Sequence, residues 1–542
     1  MFAEFLKWKN ERPFGQHGLI LFGEPSPLTF ALEDLPQVSM PKRQLHDSSE
    51  STNESHNLDT LQHDVHPSHL DAADIAYLQA KGAFFMPSEK TLEYFVTVFF
   101  TKFYPLYSIV EKEALKKTLK IGKLPWILIH TVCFIGATFC DLPVIFKSGF
   151  DSRFEARKHY YTKAKLVFDT GYETGKVILI QSAIMLSFWG PHLQSYCNPC
   201  SWINIASTLA ISLGLHRTAT HSNSPSDEGL LRRLWWTLVV RDTFCSILLG
   251  RPFRINLSQC NTAAPNIEEF ETPEDGFYQV QIGRLSLLLR DVVYYRFGPG
   301  NIDLSPEKIH ANLDTWYFRI RISLEQWPNP PFKCSTAFEL LYNYCLLLLY
   351  IESPSVFRQF TDAQSHPPDP LPGKVIESRA IMIASHAINL VSKVGVCDVP
   401  HELYPAFFVA GTVLYRQSQN AHPTMSQMSR AHLDNCRTVL NQIRESWDPG
   451  NWAMHIFDFL CSDHNTTARS KDRDTAAAAT QTDVNYTITV DQAHLQSMLG
   501  GDITLDLGWE TMMNGEFAEI GDSLPMLNFL PPATEGWPGL QL

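Results

Sequence analysis

The sequence predicts an all-α protein: one large multi-helix domain between a disordered N-terminal linker and a disordered acidic C-terminal tail. Three observations lead there. From about residue 71 to about residue 461, apolar residues recur at helical spacing between short polar breaks, and the alternation of half-buried strands is scarce. Helix-start and helix-stop residues stand at the ends of these runs. Hydrophobic residues make up 44% of the chain against 19% charged, enough for a large core, which excludes wholesale disorder, a collagen-like fibre and a small disulfide scaffold.

Residues 1–70 read as a flexible linker. Pro13, Pro25, Pro27, Pro36 and Pro41 punctuate it, and the polar run 47–55 cannot bury enough apolar area to offset its ordering entropy. Its histidines, His46, His56, His63, His66 and His69, are irregularly spaced and joined by no cysteine, so they read as solvated loop residues rather than a metal tract. Residues 1–10 lack an apolar signal-peptide core, and eleven cysteines are too sparse for a disulfide framework, so a reducing interior, cytosol or nucleus, is expected.

Residues 71–461 read as the helical domain. Two uncharged stretches within it, 124–140 and 177–215, invite a membrane reading. The first is shorter than the ~20 residues a spanning helix needs, and the second is broken at Trp189-Gly190-Pro191-His192 and at Asn198-Pro199, so both are expected as core helices and no membrane partner is expected. Trp202, Ile205, Leu209 and Leu213 form a stripe closed by Gly214, a residue free to take a positive φ at the helix end. Ser224 as N-cap and Pro225 at the first position open the next helix, with Leu231, Leu234, Trp235 and Leu238 on its apolar face and Arg232 and Arg233 off it. Later helices are expected over 338–352, 376–394 and 406–417.

Residues 462–501 form a polar spacer with an Ala run, and residues 502–542 interleave acidic groups with bulky apolar ones: Leu505, Leu507, Trp509, Phe517, Leu527 and Phe529. That is the composition of an activation segment whose charges keep its aromatics solvated until a coactivator groove accepts them. A solvated acidic tail docking a few residues on the core is the alternative. Of the net charge of -13, residues 474–542 carry -10, since ten acidic residues meet no Lys or Arg there. Elsewhere the chain is nearly neutral, and no stretch clusters the basic residues that a phosphate-binding surface needs.

Catalytic and cofactor motifs are missing. The run from Gly171 to Lys176 has three residues between its glycines and Val177 where a phosphate loop needs a hydroxyl, and neither a nucleophile elbow nor a Rossmann fingerprint occurs. No enzyme activity is expected, a helical enzyme being the remote alternative. Cys197 and Cys200 have metal-ligand spacing, with His192 and His216 nearby, but a lone pair is weak evidence and no bound metal or other cofactor is expected in this chain.

Residues 202–265 are the most informative. Gly214-Leu215-His216-Arg217 is followed by Arg232-Arg233 with Trp235-Trp236, by Arg241-Asp242 and by Gly250-Arg251-Pro252. Asp242, on a largely apolar helix, needs a cationic partner, for which Arg251, Arg254 and Arg217 are the candidates. The arrangement reads as a buried ion pair locking two helices, or as a ligand or partner site around His216, Arg217 and Arg251.

In this order and spacing the residues resemble the middle homology region of fungal zinc-cluster transcription factors. The likeness extends upstream through Tyr77-Leu78, Gly82-Ala83-Phe84, Tyr94-Phe95 and Tyr104-Pro105-Leu106, where it is of the cutinase-regulator type, and downstream to about Gln417. The resemblance implies an all-helical regulatory domain in a nuclear regulator of RNA polymerase II genes, read here as an activator. Such factors carry an N-terminal module of six closely spaced cysteines that holds zinc and reads DNA. Here the first cysteine is Cys133, and residues 21–28 resemble the linker after that module, so the chain is expected to start downstream of its DNA reader. Promoter DNA is then a direct partner, and zinc a cofactor, only if such a cluster exists upstream. Otherwise the chain reaches DNA through a protein partner, as an adaptor or competitor that heterodimerises with an intact relative. Homo- and heterodimer both stay open.

Overall fold

The predicted helical periodicity is realised as sixteen α-helices, with no strand among the described residues. The computed structural model describes residues 66–191, 195–218, 225–298, 304–326, 332–351, 373–391, 395, 399–419 and 422–462. Nearly all of the expected linker and spacer, and the whole 502–542 segment, lie outside the described residues.

The first eight helices are α1 Ala72–Ala80, α2 Glu89–Val98, α3 Lys112–Lys120, α4 Trp126–Phe139, α5 Leu142–Lys147, α6 Arg153–Asp169, α7 Lys176–Leu186 and α8 Pro199–Ser212. Their starts follow from capping chemistry. Asp71, Ser88, Ser152 and Asn198 each accept a hydrogen bond from a backbone N–H of the first turn, and α8 has proline at its first position. α2 runs on into a π turn, Phe99–Phe103, which turns Phe99 and Phe103 into the core. All fourteen residues of α4 are buried, so the uncharged stretch noted in the sequence is a core helix. Among the described residues no helix is long and apolar enough to cross a membrane. Gly136 is what permits this density: a Cβ there would lie 2.4 Å from Phe95 Cβ on α2.

Next come α9 Pro225–Leu248, α10 Pro273–Phe297, α11 Pro306–Glu325, α12 Phe332–Tyr350, α13 Gly373–Asn389, α14 Tyr404–Ser418, α15 Pro423–Ile443 and α16 Pro449–Cys461. The three later helices read from the sequence are thus α12, α13 and α14, with ends shifted by a few residues. The Trp202 stripe is recovered on α8 with its centre rotated: Trp202, Ile203, Ala206 and Ala210 are buried, while Ile205, Leu209 and Leu213 pack at the core's edge. Small Ala side chains allow the closer approach on that side.

The apolar side chains assemble into two principal cores. One draws on residues 95–255 and the other on residues 240–457. α9 feeds both: Leu231, Leu234, Trp235, Leu238 and Val239 enter the first, Val240 and Phe244 the second. At 24 residues it is about 36 Å long, the span of a small domain.

His130 of α4 ties this packing to pH. Its Nε2 donates to the Ala83 carbonyl at 2.6 Å, and Nδ1 has no hydrogen-bond partner among the described residues. Burial lowers its pKa to about 4. Between pH 6.5, where an unfolded histidine protonates, and about 4, the unfolded chain binds the proton and the folded one does not. Stability is therefore constant above that window and falls as pH drops through it, by about 1.4 kcal/mol per unit at most for this group. Urea unfolding followed by circular dichroism at about pH 7.5 and 5.5 is expected to show the fall, and His130→Gln to shrink it.

Candidate functional site

Arg241 and Asp242 sit where α9 passes from one core to the other, and both are buried. A charge there must be paired and hydrogen-bonded, because desolvation alone would cost several kcal/mol per ion. Asp242 is saturated. Its carboxylate accepts from Arg290 Nη2 at 2.8 Å, from the backbone N–H of Arg254 and of Ile255 at 3.0 Å each, and from Ser246 Oγ at 3.2 Å. Arg290, on α10, also donates to Thr243 Oγ1 at 2.7 Å and the Ile255 carbonyl at 2.8 Å, and its guanidinium lies 4.4 Å from the Phe253 ring centre. Burial pulls the Arg290 pKa down, and Asp242 opposes the shift.

Two further buried pairs tie the first core to the second. Arg157 of α6 binds Asp448 through both terminal nitrogens, at 2.7 and 3.1 Å, and donates to the Glu445 and Phe188 carbonyls at 2.9 Å. Asp448 precedes Pro449 as a helix cap would, yet its side chain does not cap α16; it accepts from Arg157 and from the Gly190 N–H at 2.7 Å. Glu402 accepts from Tyr107 Oη at 2.6 Å and pairs with Arg241 Nη1 at 3.5 Å. Arg241 also donates to the Ser187 carbonyl at 3.1 Å and lies 3.9 Å from the Phe188 ring centre. Burial, then the Glu402 charge, push the Tyr107 hydroxyl well above its usual pKa.

Of the cations expected for Asp242, Arg254 contributes its backbone N–H and, at 3.9 Å, its guanidinium, but the direct ion pair belongs to Arg290. The reason is geometric: Gly250, at φ +61°, turns the chain away at the end of α9, and Arg251 reaches Asn198 Oδ1 at 3.4 Å instead. Pro252, exposed, follows that turn. The expectation that Arg232 and Arg233 stay off the packed face is corrected for Arg233. It is buried, bonded to the Ser108 carbonyl at 3.0 Å, the Glu269 carbonyl at 2.8 Å and the Glu111 carboxylate, because α9 is packed on nearly all sides from Arg233 onward. Trp235 is in the first core, and Trp236 donates to the Ala263 carbonyl at 2.8 Å.

Gly214, at φ +72°, closes α8, and Leu215 is buried. His216 packs against Trp235 at 6.0 Å and its carbonyl accepts from Asn261 N–H at 3.0 Å; the Arg217 N–H returns to the Gly214 carbonyl at 3.1 Å. Arg251 lines the cavity where the two cores meet, and His216 and Arg217 are not among the residues that line it. Cys200 packs with Ile203 and Cys245 as a small hydrophobe, Cys197 lies at the rim of the first core, and among the described residues no group of three or more His, Cys, Asp or Glu is placed to hold a metal ion. His192 and Ser224 lie outside the described residues.

Sequence reading did not single out Arg157, Arg290, Glu402 or Asp448. For Arg290 the signal was present: a lone arginine between Leu289 and Val292 on an apolar face, the same anomaly that marked Asp242. Glu402 and Asp448 lie 295 and 291 residues from Tyr107 and Arg157, and no local pattern joins such partners.

A cavity of about 60 Å³ opens where the two cores meet, lined by Phe188, Arg241, Leu249, Arg251, His401 and Trp447 among others. His401 is buried between the rings of Phe139 and Phe188, at 4.9 and 5.2 Å. Burial, with the charges of Arg241 and Arg157, holds its pKa well below the usual value, so it is neutral.

Asp242→Asn is expected to lower the unfolding free energy by about 3–5 kcal/mol, because it leaves Arg290 charged and buried without its counterion. Urea unfolding of Asp242→Asn, Arg290→Gln and the double variant checks it. The double variant is expected to cost clearly less than the sum of the two single ones.

Residues 96–310 match the fungal specific transcription factor domain. The chain is 21% identical over 462 residues to a transcription factor of Fusarium pseudograminearum, covering 72% of this chain and 51% of that one. It is 24% identical over 417 residues to cutinase transcription factor 1 alpha of Fusarium vanettenii, covering 72% and 45%. It is 25% identical over 409 residues to the acetamidase regulatory protein of Emericella nidulans, covering 72% and 49%. The chain thus spans about half the length of the curated relatives it matches, and no solved structure matches it. The motif series from Gly214 to Pro252, and the helices that bear it, lie inside the region that is similar to the fungal specific transcription factor domain.

Proposed function

We propose that this chain is a nuclear regulator of RNA polymerase II transcription, and an activator, rather than an enzyme. The observation that carries the reading is the match of residues 96–310 to the fungal specific transcription factor domain, with relatives named as a cutinase transcription factor and an acetamidase regulatory protein. The physical chemistry is compatible. The charges best placed for chemistry, those of Asp242, Glu402 and Asp448, are each held by a guanidinium inside the packing and have structural work to do. In this reading the helical domain is a scaffold that presents the acidic 502–542 segment to coactivators. Promoter contact is direct where a zinc cluster precedes this domain, and otherwise passes through a dimerising protein partner.

Fusing residues 474–542 to an unrelated DNA-binding domain tests the activator part. The fusion is expected to raise reporter output. Replacing Leu505, Leu507, Trp509, Phe517, Leu527 and Phe529 by Ala is expected to remove most of it at unchanged net charge, because a coactivator groove takes the apolar side chains. A silent fusion would discard the activator role and leave the regulator reading to be judged by promoter occupancy.

A further inference from the structure

The cavity at the meeting of the two cores has more hydrogen-bond donors than the surrounding protein uses. Its walls are largely apolar, from Phe188, Phe244, Leu248, Leu249 and Trp447. Its carboxylates are already committed: Asp448 to Arg157 and the Gly190 N–H, Glu402 to Tyr107 and Arg241. Its donors are not. Arg251, half-buried at the wall, makes one long hydrogen bond, to Asn198 Oδ1 at 3.4 Å, and has no carboxylate within 4 Å among the described residues. Arg241, by contrast, spends its nitrogens on Ser187, at 3.1 Å to the carbonyl and 3.2 Å to the hydroxyl, and on Glu402 at 3.5 Å. His401 lines the same cavity, buried, and its Nε2 has no hydrogen-bond partner among the described residues. Arg241 and Arg251 line the cavity with the carboxylates of Glu402 and Asp448, and Asp448 is already paired with Arg157 behind it, which leaves an excess of one positive charge around this point.

We propose that this cavity binds a small monocarboxylate with an apolar body. Arg251 supplies the charge for the carboxylate, and an imidazole N–H of His401 supplies a neutral donor. The hydrocarbon body lies against Phe244, Leu248 and Trp447. A buried water takes about 10–15 Å³ on this measure, so 60 Å³ admits a ligand of about four to six non-hydrogen atoms. An ammonium ligand is disfavoured by the excess positive charge. A bare inorganic anion leaves the apolar wall unused.

Isothermal titration calorimetry of the full chain with butanoate, butanamide, butan-1-amine and inorganic phosphate tests the proposal. Butanoate is expected to bind with Kd of roughly 0.1–1 mM, and the isosteric amide about tenfold or more weakly, since it lacks the charge that Arg251 meets. Arg251→Gln is expected to weaken butanoate about tenfold. Leu249→Trp, which fills the cavity from the end of α9, is expected to abolish binding, with circular dichroism confirming that both variants keep the parent helicity. No heat from butanoate up to about 10 mM, amide or amine binding as tightly as the acid, or phosphate equal to butanoate would each overturn the proposal. None of these outcomes touches the transcriptional reading, which the reporter fusion decides separately.

Discussion

A carboxylate at position 242, in the middle of a helix that feeds two hydrophobic cores, is the constraint on which the rest of the domain depends. α9 is buried on nearly all sides from Arg233 to Ser246, so Asp242 has no route to solvent. Neutralising it requires Arg290 on α10 and two backbone N–H groups from the segment after Gly250. That segment can return to the carboxylate only because Gly250 adopts a positive φ and ends α9 at once, after which Pro252 keeps the helix from resuming. The conjunction of Arg-Asp with Gly-Arg-Pro eight residues on is thus one structural device: the turn delivers the donors that the buried acid needs.

The same logic explains why the two cores hold a single register. Apolar contact is non-directional and tolerates sliding, whereas a bidentate guanidinium–carboxylate pair is satisfied in one geometry. Arg157–Asp448 and Arg241–Glu402, with Tyr107 on the second carboxylate oxygen, each join a residue of the first core's helices to the turns flanking α14 and α16. Replacing such pairs by well-packed apolar residues is often neutral or stabilising, while removing one partner is costly. Their contribution here is therefore to fix how α14 to α16 seat against α4, α6 and α9, more than to add net stability.

How much of this was legible in the sequence follows from the range of each interaction. The all-helical class, the helix ends at Gly214 and Gly250 and the apolar face Leu231, Leu234, Trp235 and Leu238 depend on neighbours within a few residues, and periodicity and capping report them directly. The need of Asp242 for a cation was also local knowledge. Which cation was not: the choice of Arg290 over Arg251 depends on how α10 packs along α9, and no single sequence encodes a crossing in a local pattern. Arg233 shows the opposite failure. Two adjacent arginines ordinarily mark a solvated face, but tertiary packing closed over one of them and supplied Glu111 and two carbonyls. The site residues at Cys197 and Cys200 illustrate why spacing alone is weak, since one thiol is in a dry cluster with Ile203 and Cys245 and the other at the rim of a core.

The position of the cavity gives it a consequence that its size does not. Phe188 belongs to the first core, Phe244 and Trp447 to the second, and Arg241 to the helix that joins them, so both cores wall the cavity. Any molecule that fills it is bound by both cores at once and stabilises the seated arrangement by RT ln(1 + [L]/Kd) relative to arrangements in which the cores stand apart. A ligand can shift such an equilibrium only by its differential affinity, which here would come from contacts that Trp447 and His401 on one side and Phe188 and Arg241 on the other supply together. Both carboxylates of the charge network border the cavity: Glu402, held by Tyr107 and by Arg241 at 3.5 Å, and Asp448, held by Arg157 at 2.7 Å. An occupant would therefore meet both of the ion pairs that tie the first core to the second.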